Sequence, residues 1–419
     1  MKEEQTIKGL PKNWKWMKLG EAAQVLDNLR KPINSSERHK RIENKSQDEL
    51  FPYYGATGQV GLIDDFITDG EYVLVGEDGA PFLDNFKEKA YKIKGKTWVN
   101  NHAHILKERD GVSLNDFILH YLNSINYREY VNGTTRLKLT KGSLVEIPFP
   151  VPPKEEQEQI VSKIEELFSE LDKGIEELKT AQQQLKVYRQ AVLSAGTSGM
   201  LTDSNSEYSN TITIGLPTKK NKNWKVVQLT DVAKLESGHT PRKDTPAYWE
   251  NGNILWLSLQ DIRALDGKVA NDTKYKTNAL GIENSSARLL PEGTVCFCRD
   301  ISVGYVTIMG KEMSTTQHFA NWLCKKELNN RFLMYSFMGS RDSLIQQGQG
   351  TTVRTIYMPD LKELRIQLPT IEEQQQIVQE IESRLSVCDK IEETISNSLK
   401  QAEALRQSIL KKAFEGKLN

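Results

Sequence analysis

Nowhere in the 419 residues does an apolar run approach the roughly 18 needed to span a bilayer, which excludes an ordinary membrane-spanning helix. Cysteine is scarce. Cys296, Cys298, Cys324 and Cys388 all lie in the second half with no disulfide-framework spacing, which fits a reducing, cytoplasmic setting. Met1 to Lys8 is charged with no apolar core behind it, so it does not read as a secretory signal. No sign of charge dominates: 56 Lys+Arg against 56 Asp+Glu gives zero net charge and excludes a protein that coats nucleic acid by bulk charge alone. Also missing are a GxxxxGK[ST] phosphate loop, a strand-linked GxGxxG, HExxH, and the Asn-Pro-Pro-aromatic motif of amino-methyltransferases. Asp360 to Lys362 after Pro359 faintly echoes a nuclease Pro-Asp…Lys pattern, but it stands just before a repeated linker and is not read as a site.

What is present suffices for real cores. Hydrophobic residues make up 38% and charged residues 27%, and the length suggests two or three domains. Charge is mildly segregated. Residues 1–153 hold 22 Lys+Arg against 21 Asp+Glu, and residues 203–369 hold 21 against 17, while 154–196 and 370–419 are net −3 and −2. The bodies are thus slightly basic and the remaining segments acidic.

The chain is a duplication. Pro152-Pro153-Lys154-Glu155-Glu156-Gln157-Glu158-Gln159-Ile160-Val161 returns as Pro369-Thr370-Ile371-Glu372-Glu373-Gln374-Gln375-Gln376-Ile377-Val378, and the offset of 217 holds without a gap to the C-terminus. Gly133-Thr134-Thr135 matches Gly350-Thr351-Thr352 at the same offset, and Asn13-Trp14-Lys15 matches Asn223-Trp224-Lys225 at 210. Each copy is a variable body followed by a recurring tail.

The tails carry heptad rows. In the first, Ile164, Leu171, Leu178, Leu185 and Val192 repeat every seven residues, with Val161, Phe168 and Ile175 at the other apolar position. In the second the rows read Ile381, Cys388, Ile395, Ala402 and Ile409, and Val378, Leu385 and Leu399. Such rows also occur in ordinary amphipathic helices, but two copies of equal length favour pairing with each other as a coiled coil. Gln182, Arg189, Glu392 and Arg406 interrupt the seam toward the C-terminal ends, where looser or partner-dependent packing is expected. The prolines before each tail and the Glu pairs after them suit a helix start. A helix over Glu155 to Ala195 would span about 60 Å.

The segmentation that follows is 1–152 for the first body, 153–196 for its helix, 197–222 for a Ser/Thr/Asn/Gly-rich connector, 223–369 for the second body and 370–419 for its helix. Strands are expected at Tyr72–Val75, Ala103–Leu106, Ile254–Leu259, Thr294–Cys298 and Tyr305–Met309, with short helices at Leu114–Ile125 and Arg331–Gln346. The class is α+β.

Few residues suggest catalysis or metal. Cys296 and Cys298 share a strand face but lack zinc-type spacing and read as reduced core residues. His102 and His104 also share a face, with no carboxylate or cysteine partner evident nearby; a satisfied histidine or a DNA-facing donor is the expectation, and no metal is assigned. What remains are polar, glycine-punctuated loops, any of which could equally be a solvated turn. Arg, Asn and Gln can pair with base edges while Lys, Ser and Thr hold phosphates. The candidates in the first body are Arg38, Lys40, Arg41, Tyr54, Thr57, Asn100, Asn101, His102, Thr135, Arg136 and Lys138. In the second they are Thr240, Arg242, Lys243, Gln260, Arg299, Ser302, Gln317, Thr352 and Arg354.

The order body, Pro-rich joint, Glu-Glu-Gln-x-Gln-Ile-Val, long helix, all repeated, resembles the specificity subunit of type I restriction–modification systems over nearly the whole chain. Its most specific elements are Ile147-Pro148-x-Pro150-x-Pro152 through Val161, and Leu364-Arg365-Ile366-Gln367-Leu368-Pro369 through Val378. Tyr53 to Gly61, Val75-Gly76-Glu77-Asp78-Gly79-Ala80 and Trp98-Val99-Asn100-Asn101-His102 look like that family's target-recognition domains. So do Gly238-x-Thr240-Pro241, Tyr248-Trp249, Trp256 and Arg299-x-x-Ser302-x-Gly304, although Cys298 and Asp300 depart from the family's common Ser-Arg-Ala-Ser-Ile-Gly. The resemblance implies two target-recognition domains joined by an antiparallel helix pair, each reading half of a split double-stranded DNA target, with the helices setting the gap. It further implies a non-catalytic chain holding no cofactor. Two modification subunits would carry the S-adenosylmethionine chemistry, and restriction subunits would use ATP and Mg.

Overall fold

The recurring Glu-Glu-Gln has the same structural reason in both copies. In the computed structural model, which describes residues 10–202, 207–214, 216–348 and 354–418, Glu156 accepts the indole N–H of Trp14 at 2.8 Å and Glu373 that of Trp224 at 3.0 Å. The next residue is a fully buried glutamine in each case. Gln157 Nε2 donates to the carbonyls of Val112 (2.8 Å) and Pro152 (3.0 Å), and its Oε1 accepts the amide of Leu114 (3.1 Å). Gln374 repeats this with Glu327 (2.9 Å), Pro369 (3.0 Å) and the amide of Asn329 (2.8 Å). Each glutamine thus ties the helix start to its body while leaving none of those polar groups unpaired. Alongside, Lys15–Lys18 pairs antiparallel with Pro148–Val151, and Lys225–Gln228 with Arg365–Leu368. Opening and tail, far apart in sequence, form one mount.

The chain divides into two compact units, Met1–Thr180 with Ile395–Asn419, and Ala181–Thr394. Both long helices, Lys154–Ser198 and Ile371–Phe414, are shared between the units, so each unit holds a body and a stretch of each helix.

The first unit is built on a six-stranded sheet in the order 23–25, 103–108, 68–76, 90–99, 51–55, 58–63. Pairing is antiparallel except between Phe51–Gly55 and Ala90–Val99. Side chains alternate with the strand period of two. Val73 and Val75 face the core that holds Phe117, Ile118 and Tyr121 of the helix Asn115–Ser124, while Tyr72 and Leu74 face a second cluster with Ile93 and Ile105. Ile160, Val161 and Ile164 of the first long helix join the Val73 core, as do Ile409, Leu410 and Phe414 of the second.

The second unit has a five-stranded sheet in the order 233–237, 319–324, 295–298, 306–309, 269–270, and a three-stranded one in the order 275–277, 254–257, 313–315. Val295 and Phe297 face the larger core. Cys296 and Cys298 face a smaller one with Met309, Met313 and Phe319. Burial pushes the Cys298 and Cys324 thiols up to about 12.

In both units the helices run antiparallel. Arg406 stacks on Phe168 (4.3 Å) and ion-pairs with Asp172, and Arg189 reaches Asp389 (2.6 Å) and Glu392 (2.9 Å). Sequence alone suggested looser or partner-dependent packing at these polar seam positions; within the chain, Arg189, Glu392 and Arg406 make ion pairs between the helices. At the seam, Ile164, Ile381 and Cys388 are buried, as are Val161, Leu185, Val192, Val378, Ile395, Ala402 and Ile409. Phe168, Leu171, Ile175, Leu178, Leu385 and Leu399 are half-buried.

Three local expectations change. The strand expected over Ile254–Leu259 stops at Leu257, and Ser258 caps the helix Leu259–Leu265. The helix expected over Arg331–Gln346 is two, Asn330–Gly339 and Arg341–Gln347, divided where the Gly339 carbonyl accepts Gln190 Nε2 (2.7 Å). The connector holds a hairpin of Tyr208–Thr213 with Leu216–Asn221, and Ile214 donates to Arg365 at 2.7 Å. Among the described residues no helix is long and apolar enough to cross a membrane.

Candidate nucleic-acid interface

In the first body, four loops separated in sequence converge at one end of the sheet. Gly76 closes the strand Thr68–Gly76, and a side chain there would meet Ala80 and the carbonyl of Ala56, so glycine permits the turn bearing Thr57 to approach. Glu77 donates its amide to the His102 carbonyl (2.7 Å) and accepts the Leu139 amide (2.7 Å), drawing in the 100–102 turn and the 136–139 segment. Asp78 follows. Its Oδ1 takes His102 Nδ1 at 2.8 Å and Arg136 at 2.6 Å. Gly79, at φ +73°, then turns the chain back.

A partly buried ion cluster underlies this surface. Arg30 bridges Asp27 and Glu77, Lys138 reaches Glu77 at 2.9 Å, and His104 lies between Asp27 (2.7 Å) and the Leu139 carbonyl (2.8 Å). Burial opposes ionisation of Asp27 and Glu77. The hydrogen bonds of His104 to Asp27, and of Arg30 and Lys138 to Glu77, outweigh it and hold both carboxyls below their ordinary range. Asp27, Glu77 and His104 lie close enough to share a cation, but Arg30 already bridges the two carboxylates and both ring nitrogens of His104 are used. Sequence reading found no carboxylate partner for His102 or His104. Each has one, Asp78 and Asp27, at separations of 24 and 77 residues that only the sheet brings together.

The second body repeats the plan with different side chains. Arg299 donates its amide to the His318 carbonyl (2.9 Å) and accepts the Ile356 amide (2.8 Å), as Glu77 does with His102 and Leu139. Asp300 takes His318 Nδ1 at 2.6 Å, as Asp78 takes His102. Asp300 bridges to Thr355 and Asp78 to Lys138, and these two partners, Lys138 and Thr355, are again 217 residues apart. The following Ile301 sits at φ +56°, an unfavourable conformation for a β-branched residue, and is largely exposed. Beside His318, a groove of about 470 Å³ is lined by Thr240, Lys243, Gln260 and Gln317, with Trp256 and Tyr275 beneath. A neighbouring groove adds Trp249, Lys274 and Lys276. Cations beside aromatic faces and side-chain amides are the groups that hold phosphates and read base edges.

The remaining candidates fall as follows. Arg38 stacks on Tyr53 (4.7 Å), and Arg41 on Trp98 (5.2 Å) while pairing with Asp64 (2.6 Å). Lys40, Thr57, Asn101 and Thr135 are exposed, and Tyr54 is half-buried against Tyr91. Asn100 is buried, its Oδ1 accepting the His102 amide (2.8 Å). In the second body Arg242 and Gln260 are exposed, Thr240 donates to Gln317, and Arg299 Nε donates to the Gln317 carbonyl (3.2 Å). Ser302 is buried within its turn, and Arg354 donates to the Ile345 carbonyl (2.7 Å). Thr352 lies outside the described residues. Arg30, Asp78, Asp300 and His318 are not among the candidates singled out from the sequence, although Asp78 and Asp300 stand inside its family-like segments and His318 closes the polar loop Thr315–His318; nothing in the sequence marks Arg30.

Two bodies with unlike polar loops on like mounts define a two-headed recognition protein. The family model for the type I restriction modification DNA specificity domain matches residues 11–180 and again 221–401. A putative type I restriction enzyme specificity subunit of Haemophilus influenzae is 28% identical over 87% of this chain and 85% of its own length. The EcoDI specificity subunit of Escherichia coli is 23% identical over 98% and 89%. Among solved structures, a chain of a type I restriction–modification system superposes with TM-score 0.70 at 17% identity, covering 98% of this chain and 99% of that one. The HsdS subunit of Thermoanaerobacter tengcongensis gives 0.58 at 18%, with the same coverage. The chain belongs to the type I restriction modification DNA specificity domain family and carries two copies of that domain.

Proposed function

We propose that this chain is the DNA specificity subunit of a type I restriction–modification complex, with target-recognition domains at 1–152 and 223–369. Each domain reads one half of a split double-stranded target. The helices fix the number of base pairs between halves and dock two modification subunits. The chain is non-catalytic: S-adenosylmethionine serves the modification subunits, ATP and Mg serve the restriction subunits, and the complex works in the cytoplasm. The observation that carries this reading is the contrast between copies. The mounts repeat hydrogen bond for hydrogen bond, from Gln157 to Gln374, while the groups displayed on the heads differ. A bipartite target asks for unlike readers on equivalent supports, and the half-buried Leu171, Ile175 and Leu178 leave apolar helix surface for partners.

The test is to co-express the chain with its modification subunit and map methylated bases in host DNA. A split motif with a fixed gap, lost when this chain is removed, is expected. Methylation unchanged by its removal would overturn the reading and favour an adaptor that binds only proteins.

A further inference from the structure

We infer that His102 and His318, each held by an aspartate, make a DNA contact that the two heads share, and that it is made to the sugar–phosphate backbone; this rests on the DNA-reading role proposed above. The two histidines are equivalent by fold. Gly76 pairs with Ala103 beside His102, and Cys298 with Phe319 beside His318, in antiparallel ladders. Each histidine accepts at its carbonyl from the residue before the aspartate, and each gives Nδ1 to that aspartate, at 2.8 and 2.6 Å. Around this pair the heads diverge. Glu77 stands where Arg299 does, Asn100 where Thr316 does, and Asn101 where Gln317 does. Heads that read different sequences can share only what their half-sites share, the backbone; the divergent side chains are left to read bases.

The chemistry fits. His102 is 41% and His318 23% exposed, against 18% and 15% for their aspartates, so the ring lies outward of the carboxylate. Among the described residues neither Nε2 has a protein partner. A ring with a carboxylate on Nδ1 and a phosphate on Nε2 faces acceptors on both sides and donates from both as imidazolium. Asp78 and Asp300 are then positioning residues: they fix the ring plane so that little rotamer entropy is lost on binding.

The test uses the chain in complex with its modification subunit. Affinities for a cognate and a scrambled duplex are measured across about 50–300 mM salt, and the methylated motif is sequenced. H102Q and H318Q are each expected to weaken both duplexes alike, by roughly tenfold at low salt, and to reduce the salt slope by about 1, with the motif unchanged. His102→Arg, which keeps a cation, should retain the slope. D78N and D300N should lose part of the affinity with the motif intact. Because the histidines lie in separate units, a folding defect in one variant, seen as a lowered melting midpoint, leaves the other informative. A motif relaxed at one base position would overturn the inference by making the histidine a base reader, and unchanged affinity would overturn it by removing the contact. Failure of the wild-type complex to prefer the cognate duplex would instead refute the DNA-reading role.

Discussion

Replacing Gln157 by leucine removes three hydrogen bonds at a fully buried position and strands the carbonyls of Val112 and Pro152 and the amide of Leu114. Leucine roughly fills the volume, so the cost is chiefly desolvation without compensation. At about 1–3 kcal/mol for each buried group left unpaired, and with water reaching the partly buried amide, the net loss is about 3 kcal/mol. For a unit of this size that lowers the midpoint by roughly 6–12 °C. The control is Gln159→Leu, two residues along and exposed, which should stay within about 0.5 kcal/mol. Calorimetry gives the magnitude, and amide hydrogen exchange gives the location. In Q157L the Leu114 amide should lose protection while the equivalent Asn329 amide keeps it, and Q374L should do the reverse. If Q157L melts with Q159L, or exchange rises equally at Leu114 and Asn329, the account of the repeated motif as two separate mounts is wrong.

Inserting seven residues into each long helix should lengthen the gap between half-sites without altering either half, read by methylation mapping; changed half-site sequences would defeat the ruler. Burial pushes the His120 imidazole down to about 4, so the unfolded chain binds the extra proton between pH 6.5 and 4. Stability of the first unit should therefore fall as pH drops through that window, by at most about 1.4 kcal/mol per pH unit, and H120F should flatten the profile in a calorimetric pH series. Asp27 and Glu77, held below their ordinary range, add a further loss as pH falls through the usual carboxylate values, which D27N should reduce. Cys296, Cys298 and Cys324 should resist iodoacetamide at pH 8 in the native protein and label fully on unfolding, because burial holds their thiols protonated.

Much of the architecture was legible in the sequence because it is repeated. The offset of 217 exposed the tails, and the heptad rows reported the helices. The strands around Ala103, Val295 and Val306 were marked by β-branched and apolar runs and lie within a residue or two of their expected limits, while the one around Tyr72 begins four residues earlier, at Thr68. The site was less legible, for a physical reason. Asp78 meets His102, and Asp27 meets His104, across strands of one sheet, so spacing along the chain carries no trace of either pair. The polar residues in the helix seam misled because heptad reasoning scores Arg189 and Arg406 as interruptions, whereas each finds a carboxylate on the antiparallel neighbour. The hairpin at Tyr208–Asn221 was hidden by Ser, Thr, Asn and Gly, residues that suit connectors as well as short edge pairs.

The central claim, one head for one half-site, is tested most directly by changing the equivalent exposed residues Asn101 and Gln317 one at a time to alanine and remapping methylation in the co-expressed complex. The account predicts that N101A relaxes the motif in one half only and Q317A in the other half only, with the gap fixed in both. Relaxation of both halves by either variant, or of the same half by both, would contradict it.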